Sequence, residues 1–384
     1  MSATGGEPTV LARDFDGYIR EYDWLPDGKT IQLSADLRVD RQLYQVSVGA
    51  GPEAAPKALT DGDGLYGPFS LDSKANAVAF IHEDPEKPGD VWFAQDGYEP
   101  KKLTDLNPQS GEWALGKVET VLWTSTDGME IEGLLVYPLE YRAGRRYPTV
   151  VQVHGGPESV HAREFMANWG NFPHVYAAAG YLTLMPNFRG SSNYGAEFAQ
   201  ANKGDVGGGD YQDCMSGVDY LIERGLADPE RLAIKGWSYG GYMSGWVIGQ
   251  TDRFKATAYG AGVANSVSYY GTADIQWNRE NLHGKNPYIN RETWIKQSPL
   301  SYVQQVKTPA LIFHGEKDER IPLGQSHEFY LGLKQHHVPT KLVIYPEQGH
   351  GLRVPSYQLD KMKREFEWIE QYVKGAEKTT SSAR

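Results

Sequence analysis

Three short stretches of this chain carry residue types that together could cleave an acyl bond. Gly236-Trp237-Ser238-Tyr239-Gly240 has the G-x-S-x-G spacing of a nucleophile elbow, lengthened by Gly241. In such an elbow a serine stands at the tip of a tight strand-to-helix turn, so its neighbours must be small and its hydroxyl is held clear of the sheet. Arg231 to Lys235 reads as the short buried strand before it, and Gly241 to Gln250 as the helix after it. The plainer alternative is a glycine-rich turn that happens to hold a serine, and an acid and a base further along the chain would decide against it.

Both follow, in the order that a serine hydrolase on an α/β sheet requires. Pro309 to Gly315 reads as a buried strand whose loop presents Glu316-Lys317-Asp318-Glu319-Arg320. Asp318 is the candidate acid, because the acid of such folds lies a few residues past the strand end; Glu316 and Glu319 are the alternatives. Lys341 to Tyr345 reads as another strand, and its loop carries Gly349-His350-Gly351. Glycines on either side let backbone crowd close to an imidazole, which a core histidine does not need. His350 is the candidate base. It would take the proton of Ser238 during attack and return it to the leaving group, while the carboxylate fixes its tautomer. The other nine histidines are expected to be structural or exposed, with His314 in the core.

A tetrahedral intermediate also needs donors for its oxyanion. One is expected from the backbone N–H of Tyr239, the other from Gly155 or Gly156 in the loop His154-Gly155-Gly156-Pro157-Glu158, which follows the strand Thr149 to Val153. His154 is expected only to support that loop.

The elements that must position these residues fall into two regions. From about residue 116, strands and helices alternate: an antiparallel pair over 118–126 and 130–137, strand 149–153, a helix over roughly 161–179, strand 181–185 and a helix over 210–224. Met215, Val218, Leu221 and Ile222 give that last helix its apolar spacing. The nucleophile strand, a strand at 255–259, the acid strand, helix 323–335, the histidine strand and a closing helix 359–373 complete an α/β-hydrolase pattern, a mostly parallel sheet with helices on both faces. Before residue 115, short strands are broken by turns such as Pro26-Asp27-Gly28 and Asp61-Gly62-Asp63-Gly64. Lys57-Ala58-Leu59-Thr60-Asp61 is echoed by Lys102-Leu103-Thr104-Asp105, and Trp24-Leu25-Pro26-Asp27 loosely by Phe69-Ser70-Leu71-Asp72. Those offsets match one four-stranded propeller blade of about 40 to 50 residues. The expected organisation is a flexible tail at 1–10, an all-β segment of about two propeller-like blades at 11–115, the catalytic domain at 116–375 and a flexible tail at 376–384.

Composition sets limits. With 384 residues, 40% of them hydrophobic, the chain can build two cores. A net charge of -11 argues against a nucleic-acid face. The N-terminal stretch lacks the apolar core of a signal peptide and no segment approaches membrane-spanning length, so no membrane is expected and the cytoplasm is the default location. A single cysteine, Cys214, excludes an internal disulfide. Gly207-Gly208-Gly209 lacks the lysine and hydroxyl residue of a phosphate loop, the Asp61 to Asp72 turn lacks a calcium loop's glycine and final glutamate, and no H-E-x-x-H spacing occurs. No metal and no cofactor are expected.

Taken together, His154-Gly155-Gly156-Pro157, Asn187-Phe188-Arg189-Gly190-Ser191 with Tyr194-Gly195, the Ser238 elbow, His314-Gly315 through Asp318-Glu319-Arg320-Ile321-Pro322 and Gly349-His350-Gly351 resemble the prolyl oligopeptidase family of serine peptidases, nearest its acylaminoacyl-peptidase and dipeptidyl-aminopeptidase branches. The resemblance covers roughly residues 116 to 375. It implies a triad of Ser238, Asp318 and His350, with oxyanion donors from Tyr239 and the Gly155-Gly156 loop. It further implies that Arg320 faces a substrate carbonyl, a surface ion pair with Glu316 or Glu319 being the alternative. Tyr269 and Tyr270, with Trp277 nearby, would line the pocket for the side chain beside the scissile bond, core packing being the equal alternative, and Asn187 and Arg189 would brace the neighbouring loop.

Relatives of this kind carry a whole propeller, whereas two blades cannot close a ring. No pair of glutamates for a substrate amine is evident, so a strict dipeptidyl-aminopeptidase is not expected. The expected activity is cleavage of short, including N-acylated, peptides; the alternatives are an esterase with an open site and a non-catalytic interaction scaffold on a hydrolase fold. Exposed strand edges of an unclosed β segment lead us to expect a homo-oligomer that covers them.

Overall fold

The computed structural model describes residues 5–95 and 99–375; the expected tail at 376–384 and the first four residues of the tail at 1–10 lie outside the described residues. Two compact units result. The first holds residues up to Ala114 together with 162–166 and 192–199, and the second holds the rest.

In the first unit, β1 (Tyr18–Trp24), β2 (Thr30–Leu37), β3 (Asp40–Ser47) and β4 (Lys57–Ala58) form one antiparallel meander. β5 (Leu65–Leu71), β6 (Ala77–Asp84), β7 (Lys87–Gln95) and β8 (Lys101–Lys102) form a second. A single parallel pairing, Arg41 with Leu65, joins the two. The internal echo has a physical cause. In the first meander Thr60 Oγ1 accepts from Leu43 N–H (3.0 Å) and donates to Gln42; in the second Thr104 Oγ1 accepts from Val91 N–H (2.9 Å) and donates to Asp90. Each threonine thus ties the return of its short outer strand to the third strand. The looser echo is equivalent too, because Asp27 and Asp72 each accept backbone N–H groups in the turn between first and second strands. Alternating residues of β2 and β3, Leu33, Ala35, Tyr44 and Val46, make a small core.

The second unit begins with the antiparallel pair β9 (Val118–Thr124) and β10 (Glu130–Val136). β11 (Tyr147–Val153), β12 (Leu182–Asn187), β13 (Ala227–Trp237), β14 (Phe254–Gly260), β15 (Ala310–Gly315) and β16 (Thr340–Tyr345) run parallel to one another. The strand order is β16-β15-β14-β13-β11-β12-β10-β9. In chain order the helices are α1 (Pro173–Ala178), α2 (Gly195–Gln200), which falls in the first unit except for Gln200, α3 (Gly209–Glu223) and α4 (Tyr239–Gln250), followed by the short α5 (Ser266–Thr272), α6 (Gln276–His283) and α7 (Arg291–Lys296), then α8 (Gly324–Gln335) and α9 (Pro355–Val373). The α/β-hydrolase architecture therefore stands as expected, with α5, α6 and α7 inserted after β14.

Central strands covered on both faces should read as unbroken apolar runs. Leu232, Ala233 and Ile234 of β13 obey this, and Lys235 is the exception, buried with them. Its ammonium lies 2.5 Å from Glu365 Oε1 of α9, and Lys361 Nζ lies 2.6 Å from the other oxygen. This ionic cluster fastens the nucleophile strand to the closing helix.

The helix expected over 161–179 is a correction: only 173–178 is helical. Asn168 Oδ1 accepts from the N–H groups of Gly170 and Asn171, a turn that competes with helix, and Pro173 then opens α1 where a missing N–H costs nothing.

Candidate active site

Ser238 sits between β13 and α4 with φ of 62° and ψ of -118°, a conformation that costs a non-glycine residue strain. The glycines around it are demanded by contact. A Cβ on Gly240 would lie 2.1 Å from the Val153 carbonyl oxygen, and one on Gly236 would lie 2.4 Å from the Gly240 carbonyl group. The turn is closed by Ser238 N–H donating to Gly260 (2.9 Å).

β15 and β16 deliver the partners to the same end of the sheet, where ligands of open α/β sheets gather. Ser238 Oγ–H donates to His350 Nε2 (2.9 Å), and His350 Nδ1–H donates to Asp318 Oδ2 (2.8 Å). A carboxylate only accepts, so this contact places the proton on Nδ1 and leaves Nε2 free to act as base. Asp318 is 5% exposed and its second oxygen accepts from Ile321 N–H (2.9 Å), whereas Glu316 and Glu319 point into solvent. Burial pushes the Asp318 carboxyl up, but the contacts with His314, His350 and Ile321 outweigh it and hold the group at about 2. The loop bearing the base is pinned in turn, because Trp237 Nε1–H donates to the His350 carbonyl (2.7 Å).

Tyr239 is the first residue of α4, and an N–H at that position has no acceptor within its own helix. Gly156 lines the cavity beside Ser238, and Gly155 packs so close that a Cβ there would stand 3.3 Å from the Ser238 Cβ. Those positions suit donors to an oxyanion. His154 stays behind the loop: Nδ1–H donates to the Gly155 carbonyl (2.7 Å), Nε2 faces Ser191 Oγ (2.9 Å), and burial lowers the imidazole to about 4 despite the Gly155 bond, so the ring is neutral. His314 is fully buried and bonded to Ser326 and Ile321.

The cavity holds about 210 Å³, with apolar walls from Val206, Tyr242, Val263, Ile275, Leu282 and Ile321. Of the four expected substrate contacts, Arg320 and Tyr269 line it. Arg320 also pairs with Asp274 (2.7 Å), rather than with Glu316 or Glu319. Tyr270 and Trp277 are corrections, since neither lines the cavity. The Tyr270 hydroxyl bonds to Glu280 and its ring packs on Trp294, while Trp277 is 76% exposed. Helix geometry is the reason: Ile275, Arg279, Leu282 and His283 occupy one face by their spacing, and position 277 falls off it. Those four, with Val206 and Tyr242, escaped the sequence reading, although the i, i+4, i+7 spacing was a usable signal.

Asp210, at the start of α3, also went unnoticed. It is fully buried and accepts from the Tyr239 hydroxyl, which holds the ring of the donor residue in place. Burial pushes its carboxyl up to about 7 against that bond and the one from Tyr211 N–H. Asn187 and Arg189 brace the loop as expected: Asn187 exchanges two hydrogen bonds with the His161 backbone, and Arg189 pairs with Asp213 (2.7 Å) and Asp127 (2.6 Å). Among the described residues no cluster of three or more His, Cys, Asp or Glu side chains could hold a metal, and no helix is long and apolar enough to cross a membrane.

The sequence features that define the prolyl oligopeptidase family match residues 170–376. An uncharacterized peptidase of Bacillus subtilis (strain 168), YuxL, is 34% identical over 315 residues, which is 79% of this chain and 47% of that protein. The solved acylaminoacyl peptidase of Pyrococcus horikoshii superposes with a TM-score of 0.82 at 28% identity, covering 94% of this chain and 57% of its own. An acylaminoacyl peptidase solved in complex with Z-Gly-Gly-Phe-chloromethyl ketone gives 0.83 at 28% identity, covering 96% and 58%. The chain spans about half the length of the curated relatives it matches.

Proposed function

The chain belongs to the prolyl oligopeptidase family, and from that premise we propose that it is a serine peptidase cleaving short peptides, N-acylated ones included, through an acyl-enzyme on Ser238. The observation that carries this reading is the hydrogen-bonded line from Ser238 through His350 to the buried Asp318, beside an apolar cavity. As Oγ attacks the scissile carbonyl, its proton passes to Nε2 of His350, and Asp318 stabilises the imidazolium. The oxyanion is met by the Tyr239 N–H and the Gly155-Gly156 loop. His350 then protonates the departing amine, and a water deprotonated by the same nitrogen releases the acyl group. The apolar walls suit the hydrocarbon part of an acyl side chain, and the inhibitor bound to a similar acylaminoacyl peptidase carries phenylalanine beside its reactive group.

The test is kcat/KM on a matched ester and anilide of N-acetylphenylalanine, with Ser238→Ala as the blank. Anilide cleavage within about a hundredfold of the ester means that the acid step is intact, since general acid catalysis supplies at least that much. Turnover of the ester alone would make the chain an esterase, and turnover of neither a scaffold.

We also infer self-association through the first sheet. Among the described residues β1 pairs on one side only, and Tyr18, Ile19, Tyr22 and Trp24 along it are each at least half exposed, a combination that sheet proteins normally cover. A single monomeric species by light scattering across dilution would refute it.

A further inference from the structure

The cavity beside Ser238 carries a charge that the triad does not use. Among the described residues none that lines it is acidic, and two are arginines, Arg279 and Arg320. Arg320 is neutralised by Asp274. Arg279 is not. Among the described residues no ion pair engages its guanidinium, and its Nε is buried without a hydrogen-bond acceptor. The neighbouring acids are committed elsewhere, Asp274 to Arg320 and Glu280 to the Tyr270 hydroxyl. His283, a turn further along α6, adds no charge, because burial lowers its imidazole to about 4, the bond to Gln297 opposing and the Arg279 charge assisting.

A guanidinium cannot shed its proton, and a buried N–H left unmatched is costly, so this group demands an acceptor. The position says which part of a substrate would bring one. A carbonyl attacked by Ser238 lies at the Tyr239 N–H, and the wall formed by Tyr242, Val263 and Leu282 lines the same cavity as Tyr239. The substrate group directed along that wall is the side chain of the acyl residue. Its stem would lie against Leu282 and Ile275, which share the cavity face of α6 with Arg279.

We propose that Arg279 is a specificity-determining residue that selects an acyl residue whose side chain ends in a carboxylate over its neutral isostere. The proposal rests on the serine-peptidase reading and names a substrate class within it.

N-acetylated diphenyl phosphonates bearing a Glu, Gln or Leu side chain beside phosphorus test both separately. An active Ser238 forms an Oγ–P bond, phenoxide leaves, and the serine proton reaches it through His350. The expected second-order labelling rate for the Glu analogue exceeds that for the Gln analogue by about tenfold or more, the worth of one charge-assisted hydrogen bond. In Arg279→Gln that ratio should fall to near one, and Arg279→Lys should retain part of it. If Arg279 merely supported the fold, all rates would drop together and the ratio would survive, which overturns the proposal. A wild-type ratio near one overturns it whether or not the variants fold, while labelling shows the serine to be active. Inertness toward all three analogues sinks the peptidase reading and this proposal with it.

Discussion

Replacing Lys235 by methionine should flatten the alkaline rise in this protein's stability without unfolding it. Two ammoniums, Lys235 and Lys361, share the single carboxylate of Glu365, and all three side chains are buried. Beyond the ion pair, Lys235 Nζ sits 3.8 Å from the centre of the Phe172 ring. Burial drives the Lys235 ammonium down to about 8, with Glu365 opposing and Lys361 assisting. The unfolded chain holds the same proton up to about pH 10.4. Between those limits the unfolded state binds more protons than the folded one, so stability must increase as pH rises from 8 through 10. A difference of about 2.5 between the two limits, at 1.36 kcal/mol per pH unit, makes the gain about 3 kcal/mol. Urea unfolding of wild type and Lys235→Met at pH 7, 8.5 and 10 isolates it, because other titrating groups cancel in the difference. At pH 7 the variant should be as stable as wild type or more so, since Glu365 keeps Lys361 as its partner. Glu365→Gln, which strands two buried ammoniums, should lose about 3 to 5 kcal/mol. Parallel pH curves for wild type and Lys235→Met, or a pH 7 loss matching that of Glu365→Gln, would refute the reasoning.

Other expectations concern the site and its frame. Asp318→Asn should lower kcat about ten-thousandfold with little change in KM, because an amide no longer selects the Nδ1–H tautomer of His350; a loss under about tenfold would mean that something else orients the ring. The same variant should lose about 2 kcal/mol of stability at neutral pH, a difference that vanishes in urea unfolding as pH falls from about 4 toward 2, since the depressed Asp318 group contributes only while ionised. Arg189→Ala leaves the fully buried Asp213 without its counter-charge and should cost about 3 to 5 kcal/mol in urea unfolding, with Arg189→Lys recovering part. Gly240→Ala should yield no correctly folded elbow, read as loss of Ser238 labelling by a fluorophosphonate, because its methyl would stand 2.1 Å from the Val153 carbonyl.

What could be read in the sequence follows from what each residue is asked to satisfy. Gly236 and Gly240 are set by backbone-to-backbone distances at a turn that every such elbow shares, so the pattern around Ser238 is visible without coordinates. Thr60 and Thr104 repeat because two meanders need the same tie to their third strand. The choice of acid was less open to pattern: Glu316, Asp318 and Glu319 lie in one loop, and what separates them is that only Asp318 turns inward to His314 and His350. The stretch 161–179 reads as helical because its apolar residues mask the local bonding of Asn168, and Lys235 reads as an ordinary residue of a short strand, since its counter-charge, Glu365, lies 130 positions away.

The misplaced Tyr270 and Trp277 belong to a different case and point to how the site is built. Machinery and selectivity come from separate parts of the second unit. Ser238, Asp318, His350 and the Gly155-Gly156 loop all follow parallel strands, whose ends are fixed by the register of β11, β13, β15 and β16. Much of the cavity wall comes instead from α5 and α6, whose cavity-facing side is set by packing against neighbours such as Trp294 and Gln297 rather than by ladder hydrogen bonds. Rotating a short helix by one residue changes which side chains a substrate meets and leaves the triad untouched. A motif therefore identifies the chemistry while leaving the wall unread, and substitutions on α6 such as Arg279→Gln should alter which acyl residue is accepted while leaving the Ser238–His350–Asp318 hydrogen bonds in place.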